Sequence, residues 1–258
     1  MRWALITDIH ANRQALEAVL ADARAQGATH FALLGDFVGY GADPAWVVDQ
    51  VRQLTADGAR VVLGNHDEAV VQGSKPGMHP DARAVIEWTR AQLDHEQLDF
   101  LAKLPLRAQA PEAGCLFVHA NAFDPGGWEY IQGRAEAVRS LHAHAARIQV
   151  CGHMHDPMLF HLSGTGKAGD FRPVAGAAMP LPTHRQWLII PGSCGQPRDG
   201  NPAACYALLD PGPSELDDAR VTFQRVAYDV EAACAGVLAS GLPAPIAERL
   251  ARRLTRGE

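Results

Sequence analysis

Five short segments of this 258-residue chain place acids, amides and imidazoles where they could hold metal ions. They read Asp8-Ile9-His10, Gly35-Asp36, Gly64-Asn65-His66-Asp67, the lone His119, and Gly152-His153-Met154-His155. Oxygen and imidazole donors without thiolate suit hard or borderline divalent ions such as Mn²⁺, Fe²⁺ or Zn²⁺. Asp8, His10, Asp36, Asn65, His119, His153 and His155 are more ligands than one ion in a small site needs. Two ions sharing a carboxylate would use them all. Taken singly, each fragment has a structural explanation. Gly35-Asp36 is a common strand-to-turn junction, Asn65 could close an Asx-turn, and His119 could be a core histidine. Their joint occurrence, each directly after an apolar run, is what points to a site.

Those apolar runs are the elements that must do the positioning. Trp3–Thr7, Phe31–Leu34, Arg60–Leu63, Cys115–Val118 and Ile148–Cys151 read as short strands. Between them lie helical patterns from Asn12, over Pro44–Leu54 with Asp43-Pro44 as cap and first turn, over Pro80–Leu104 with a break near Asp94, and over Arg134–Ala146. Alternation of this kind indicates layered α/β structure, in which loops at the strand ends converge on one crevice. Further along, Met158–Leu162, Gln186–Ile190, Cys205–Leu209 and Val221–Ala227 read as strands without intervening helices, hence a second sheet with antiparallel pairing. Glu231–Leu254 reads as two helices broken at Gly241-Leu242-Pro243, and the Gly-, Ala- and Pro-rich stretch Gly164–Pro182 as the least ordered part. No repeat or low-complexity linker divides the chain, so one domain over 1–258 is expected.

Composition bounds the function. With 47% hydrophobic and 20% charged residues the chain is a globular protein. A net charge of −6 gives no footprint for general nucleic-acid or anionic-membrane binding, which disfavours a nuclease acting on long polyanions. No apolar stretch approaches the roughly 18 residues needed to span a membrane. Five scattered cysteines, Cys115, Cys151, Cys194, Cys205 and Cys234, form no CxxC pair, which argues against a disulfide framework and for a reducing, cytoplasmic setting.

The order Asp-x-His, Gly-Asp, Gly-Asn-His, lone His, Gly-His-x-His resembles the calcineurin-like metallophosphoesterase superfamily. The wording Gly35-Asp-Phe-Val-Gly-Tyr-Gly41 and Pro191-Gly-Ser-Cys-Gly-Gln-Pro-Arg-Asp-Gly-Asn-Pro202 is similar to its small prokaryotic phosphoesterase branch. The resemblance implies a four-layer αββα sandwich of two mixed sheets flanked by helices. It further implies that Asp8, His10 and His155 hold one ion and Asn65, His119 and His153 the other, with Asp36 bridging. His66 would be no ligand but the catalytic group beside the substrate phosphate. Two cations about 3.5–4 Å apart acidify a bridging water and stabilise the attacking and leaving oxygens of an in-line displacement. Mn²⁺ is the first candidate, with Fe²⁺, Zn²⁺ and Ni²⁺ compatible with the same donors.

The sequence departs from the protein phosphatase pattern Gly-Asp-x-x-Asp-Arg-Gly. Gly39 stands where that Asp would orient His66, and Tyr40 where the Arg would grip a phosphomonoester dianion. A singly charged diester needs less positive charge, so the expectation is a phosphodiesterase for small, nucleotide-like substrates. Arg198 could restore the missing cation, which keeps a phosphomonoesterase, a protein phosphatase or a dinucleoside polyphosphate hydrolase as alternatives on the same centre. Trp128 or Tyr130 could stack on a nucleobase or anchor their loop. A non-catalytic scaffold is disfavoured, because His66 and every ligand position are retained.

Overall fold

The computed structural model describes residues 1–74, 78–213 and 217–258. Numbered along the chain, its first half comprises β1 (Trp3–Ile6), α1 (Arg13–Ala25), β2 (His30–Leu33), α2 (Pro44–Ala56), β3 (Arg60–Val61), α3 (Asn65–Gln72), α4 (Pro80–Ala91), α5 (His95–Ala102), β4 (Arg107–Ala110) and β5 (Cys115–Val118). The second half comprises α6 (Arg134–His142), β6 (Ile148–Val150), β7 (Met158–Ser163), β8 (Ala168–Phe171), β9 (Ala178–Leu181), β10 (Arg185–Ile190), β11 (Ala204–Asp210), β12 (Ala219–Val226), α7 (Val230–Ala239) and α8 (Ala244–Arg256).

The strands form two six-stranded mixed sheets, ordered β3-β2-β1-β11-β12-β9 and β4-β5-β6-β10-β7-β8. In the first, β1 pairs in parallel with β2 (Trp3 opposite His30) and β2 with β3, while β11 lies antiparallel to β1 (Trp3 opposite Leu209). In the second, β5, β6 and β10 are parallel and the outer strands antiparallel. Side-chain alternation explains the layering. Trp3 and Leu5 point into an apolar layer between the sheets with Phe117, Val150, Trp187 and Phe223, whereas Ala4 and Ile6 point outward under α1 and α2. On the far side Leu116, Val118, Leu188 and Ile190 pack under α6. The result is the expected αββα sandwich, with its central strands buried on both faces, and each large side chain so buried contributes about 1.5–3 kcal/mol.

Local signals set the boundaries. Asn12 caps α1 by accepting from the Ala15 amide (3.1 Å), and Leu16, Val19 and Leu20 form its buried stripe. The expected break near Asp94 is a capping box: Asp94 accepts from the Gln97 amide (2.8 Å) and Gln97 returns the bond (3.0 Å), so α4 ends and α5 begins. Asp43 occupies the cap position of α2 without a side-chain bond, leaving the start to Pro44. α6 stops at His142, short of the expected Ala146.

Two expectations are overturned. The strands read as one second sheet divide: β7 and β10 join β5 and β6, while β11 and β12 extend the sheet of β1. The stretch Gly164–Pro182 forms β8 and β9. β8 pairs with β7 (Leu162 opposite Ala168), and β9 adds to the far edge of the other sheet through β12. Both are edge strands with mostly half-exposed side chains, where Gly169 and Pro180 are tolerated and hydrophobic alternation is absent.

Candidate metal centre

The turns after β1, β2 and β3 in one sheet and after β5 and β6 in the other meet at one edge of the sandwich. They are sewn together by backbone bonds: Asp8 N–H to the Gly35 carbonyl (3.1 Å), Gly152 N–H to the His119 carbonyl (2.8 Å) and Gly195 N–H to the Asp8 carbonyl (2.9 Å). Five of the donor-bearing residues adopt positive φ: Asp8 (52°), His10 (50°), Asp36 (53°), His153 (68°) and His155 (62°). Non-glycine residues seldom adopt this conformation, which costs about 1–3 kcal/mol each where sparsely populated and concentrates at functional sites. Glycine makes the crowding possible. A Cβ on Gly64 would collide with Asp36 Oδ1, and one on Gly152 would lie 2.6 Å from Asp8 Oδ2.

Two constellations result, and they share Asp36. In the first, His155 Nε2 lies 3.2 Å from Asp8 Oδ1, and His10 Nε2 lies 3.8 Å from Asp36 Oδ2. In the second, His119 Nε2 lies 3.4 Å from Asp36 Oδ2, 3.1 Å from Asn65 Oδ1 and 3.2 Å from His153 Nδ1. The same Asp36 oxygen faces both. All the ligand candidates named from sequence, Asp8, His10, Asp36, Asn65, His119, His153 and His155, are therefore brought together.

The surroundings fix which atom each side chain presents. His10 Nδ1, His119 Nδ1 and His155 Nδ1 donate to the carbonyls of Val38 (3.2 Å), Leu34 (2.6 Å) and Gln196 (2.6 Å), while His153 Nε2 donates to the Trp128 carbonyl (3.0 Å). A carbonyl only accepts, so the opposite ring nitrogen faces the cluster with a lone pair or a bound proton. Asp8 Oδ2 accepts from Thr7 Oγ1 (2.8 Å) and from the His153 amide (3.0 Å), which it shares with Oδ1 (3.2 Å), and this turns Oδ1 toward the cluster. Asp36 Oδ1 accepts from the His66 amide (2.8 Å), which leaves Oδ2.

Electrostatics shows that this arrangement calls for cations. Burial, reinforced by neighbouring His155, lowers the His10 imidazole, and burial with His119 lowers His153 to about 4, so both are neutral. Their lone pairs lie 3.1 Å from His155 Nε2 and 3.2 Å from His119 Nε2. Burial also disfavours charge on His119, yet the Asp36 carboxylate prevails and pushes it up to about 9. Burial would raise Asp8 and Asp36, but His155 for one and His119 for the other hold them well below the ordinary range. Two ionised, buried carboxylates facing imidazole lone pairs fit divalent ions, and the donor set is hard to borderline throughout.

His66 stands beside the donors, not among them. Its ring meets His10 edge-on (4.9 Å, 84°) and Tyr40 at a tilt (4.5 Å), and its nitrogens bond to no group among the described residues. Gly39 abuts it, since a Cβ there would lie 2.7 Å from His66 Nδ1. Tyr40 packs on His10 as well (4.7 Å). Arg198 is exposed, its guanidinium bonding, among the described residues, to the Gln196 side-chain oxygen alone (3.2 Å). Trp128 anchors its loop, with its indole N–H on Glu68 (3.1 Å) and its ring edge-on to His119. Tyr130 stacks on His153 (3.9 Å, 10°) and is 41% exposed.

Sequence reasoning did not assign Asp67. Buried, it accepts the amides of Phe37 (2.9 Å), Val38 (3.2 Å) and Gly64 (3.0 Å), clamping the turn that carries Asp36 to the turn that carries Asn65. Its position three residues past Gly64, as the acid of an N-terminal helix turn, was the available signal. The carbonyls that orient the imidazoles leave no trace in side-chain types.

Known proteins share this sequence pattern and this fold. The profile described as calcineurin-like phosphoesterase superfamily domain matches residues 1–212. The uncharacterized protein MJ0912 of Methanocaldococcus jannaschii is 34% identical over 250 residues, 96% of each chain. Among solved structures, a metallophosphoesterase from Sphaerobacter thermophilus superposes with a TM-score of 0.83 at 35% identity over 100% of both chains. A hypothetical protein, PH1004 from Pyrococcus horikoshii, shares the fold at 20% identity with a TM-score of 0.75, over 100% of this chain and 98% of its own.

Proposed function

The chain belongs to the calcineurin-like phosphoesterase superfamily, and on that premise we propose that it is a dinuclear phosphodiesterase for small, nucleotide-like substrates. The observation that carries this reading is the pair of donor sets sharing one Asp36 oxygen. Asp8, His10 and His155 would hold one ion and Asn65, His119 and His153 the other, with Asp36 between them. When bound, such a pair supplies positive charge at the phosphoryl oxygens and a low-pKa water for in-line attack. Mn²⁺ is the ion of choice for reconstitution.

The chain's own residues supply the rest. His66, unengaged by the protein, is placed to donate a proton to a phosphoryl or leaving-group oxygen. Burial, with the neighbouring imidazoles and Arg198, lowers the His66 imidazole, and the Asp36 carboxylate acts in the opposite sense to keep the proton on it. Tyr130, stacked on His153 with its ring partly in solvent, is the better platform for a base, because the Trp128 indole is committed to Glu68. Diester preference is supported at Gly39 and Tyr40: among the described residues no carboxylate bonds to His66, and a phenol stands in place of an arginine. The free cysteines fit a cytoplasmic protein, and no described helix is long and apolar enough to cross a membrane.

Hydrolysis of bis(p-nitrophenyl) phosphate against p-nitrophenyl phosphate by the Mn²⁺-loaded protein tests the reading. A higher kcat/KM for the diester is expected. A preference for the monoester would mean that Arg198, whose charge is felt at His66 and Tyr40, supplies the missing cation and that phosphatase substrates come first.

A further inference from the structure

The family match ends at residue 212, but the wall beside the metal centre is built partly by the C-terminal helices beyond that point. α7 and α8 pack on each other and on Val85 of α4 in an apolar cluster that Tyr40 and Ala42 join. Leu250 and Leu254, one turn apart on α8, border a small void together with His10, Tyr40, Gly41 and Gln196. α8 ends at Gly257 in the left-handed conformation (φ 66°), and the Gly257 carbonyl accepts the Gly200 amide (2.9 Å). A Cβ at Gly257 would lie 2.6 Å from the Asn201 nitrogen. The last turn of α8 is thus seated on the 191–202 loop, which carries Arg198.

Arg253 comes three residues after Leu250 and one before Leu254, so it flanks the same surface. It is half-buried, and its guanidinium has no acidic partner or hydrogen bond among the described residues. On the same helix Arg249 pairs with Asp81 (2.6 Å) and Arg256 with Glu258 (3.6 Å), while Arg252 is exposed. Among the described residues Arg198 likewise meets only a neutral amide. Burial raises the Tyr40 phenol, and the charges of Arg198 and Arg253 both act on it in the opposite sense. Arg198, bonded to Gln196, and Arg253, between Leu250 and Leu254, thus flank one void from the loop and from α8, beside a site for phosphate esters. The planar arginine fork matches phosphate oxygens, so two guanidiniums without acidic partners among the described residues suit a bound anion.

We infer that α8 completes the substrate site, with Arg253 and Arg198 forming a subsite at Tyr40 for a second, non-scissile phosphate. This rests on the phosphodiesterase reading and narrows its substrate class to diesters that carry a further phosphoryl group.

The test compares thymidine 5′-(p-nitrophenyl phosphate) with its 3′-phosphorylated form as substrates of the Mn²⁺-loaded chain. The wild type should favour the phosphorylated ester in kcat/KM. In Arg253→Ala that preference ratio should fall about tenfold, with Arg253→Lys between. Calorimetric titration of thymidine 3′,5′-bisphosphate against thymidine 5′-phosphate provides a readout independent of turnover, and the affinity ratio should fall in parallel. A wild type without preference for the second phosphate, or an unchanged ratio in Arg253→Ala, overturns the inference. If the wild type hydrolyses neither ester, the phosphodiesterase reading fails by itself, and the binding ratio still decides the role of Arg253.

Discussion

Thr7 offers a way to disturb one half of the proposed centre without touching a ligand. Its hydroxyl donates to Asp8 Oδ2 at 2.8 Å, with the Leu34 carbonyl a distant second acceptor at 3.4 Å. Thr7→Val removes that proton while keeping the branched shape of a fully buried side chain. Neither acceptor is orphaned, because Asp8 Oδ2 keeps the His153 amide and the Leu34 carbonyl keeps His119 Nδ1. The cost to folding should therefore sit near the low end for a charge-assisted bond, about 1.5 kcal/mol. The larger effect falls on Asp8, whose carboxylate is then held in orientation by the His153 amide alone. Loss of such an outer partner costs about 10–100-fold in metal affinity, and the retained amide argues for the lower figure. Calorimetric titration of Mn²⁺ into chelator-treated protein should resolve one site weakened about tenfold and one nearly unchanged, with Thr7→Ser restoring the first. Equal weakening of both sites, or none of either, would refute the assignment of Asp8 to a distinct half of the centre.

Two further outcomes are expected from the same geometry. His66→Ala should keep both ions and lower kcat for the diester by about 10²–10⁴-fold, since a general acid is lost and no ligand is; metal analysis alongside kinetics checks this, and joint loss of metal and turnover would make His66 a ligand. Burial pushes the thiols of Cys115 and Cys205 up to about 12 and raises Cys151 and Cys194 as well, so on the order of one part in 10⁴ or less of each is thiolate at pH 8. A chromogenic thiol reagent should then titrate at most Cys234 in the native protein and all five cysteines in denaturant, whereas rapid native labelling of several would contradict a packed core.

The site was more legible than the frame around it. Strong apolar runs ending in Asp8, Asp36, Asn65, His119 and His153 mark both the central strands and their ligands, because central strands are buried on both faces and the turns at their ends are short. The Asp94–Gln97 break is readable for a similar reason, being a local hydrogen-bond device. β8 and β9 were not readable: at a sheet edge, exposure removes the alternation that identifies a strand, and pairing to β7 and β12 supplies what local sequence does not. The Trp128 loop is intermediate. Its aromatic residues suggest a binding surface, but only tertiary contacts show that the indole is tied to Glu68, that the Trp128 carbonyl orients His153, and that Tyr130 has the exposed ring. Arg253 lies outside every motif, and its relevance comes from where α8 ends.

The shared Asp36 oxygen is the claim on which the rest depends, and metal stoichiometry tests it most directly. Wild-type protein reconstituted with Mn²⁺ and freed of excess metal should carry two ions per chain and hydrolyse the aryl diester, while Asp36→Asn should lose occupancy at both sites, not one. A wild type that retains a single ion, an Asp36→Asn variant that still binds two, or diester turnover that survives complete chelation would contradict a dinuclear centre bridged by Asp36.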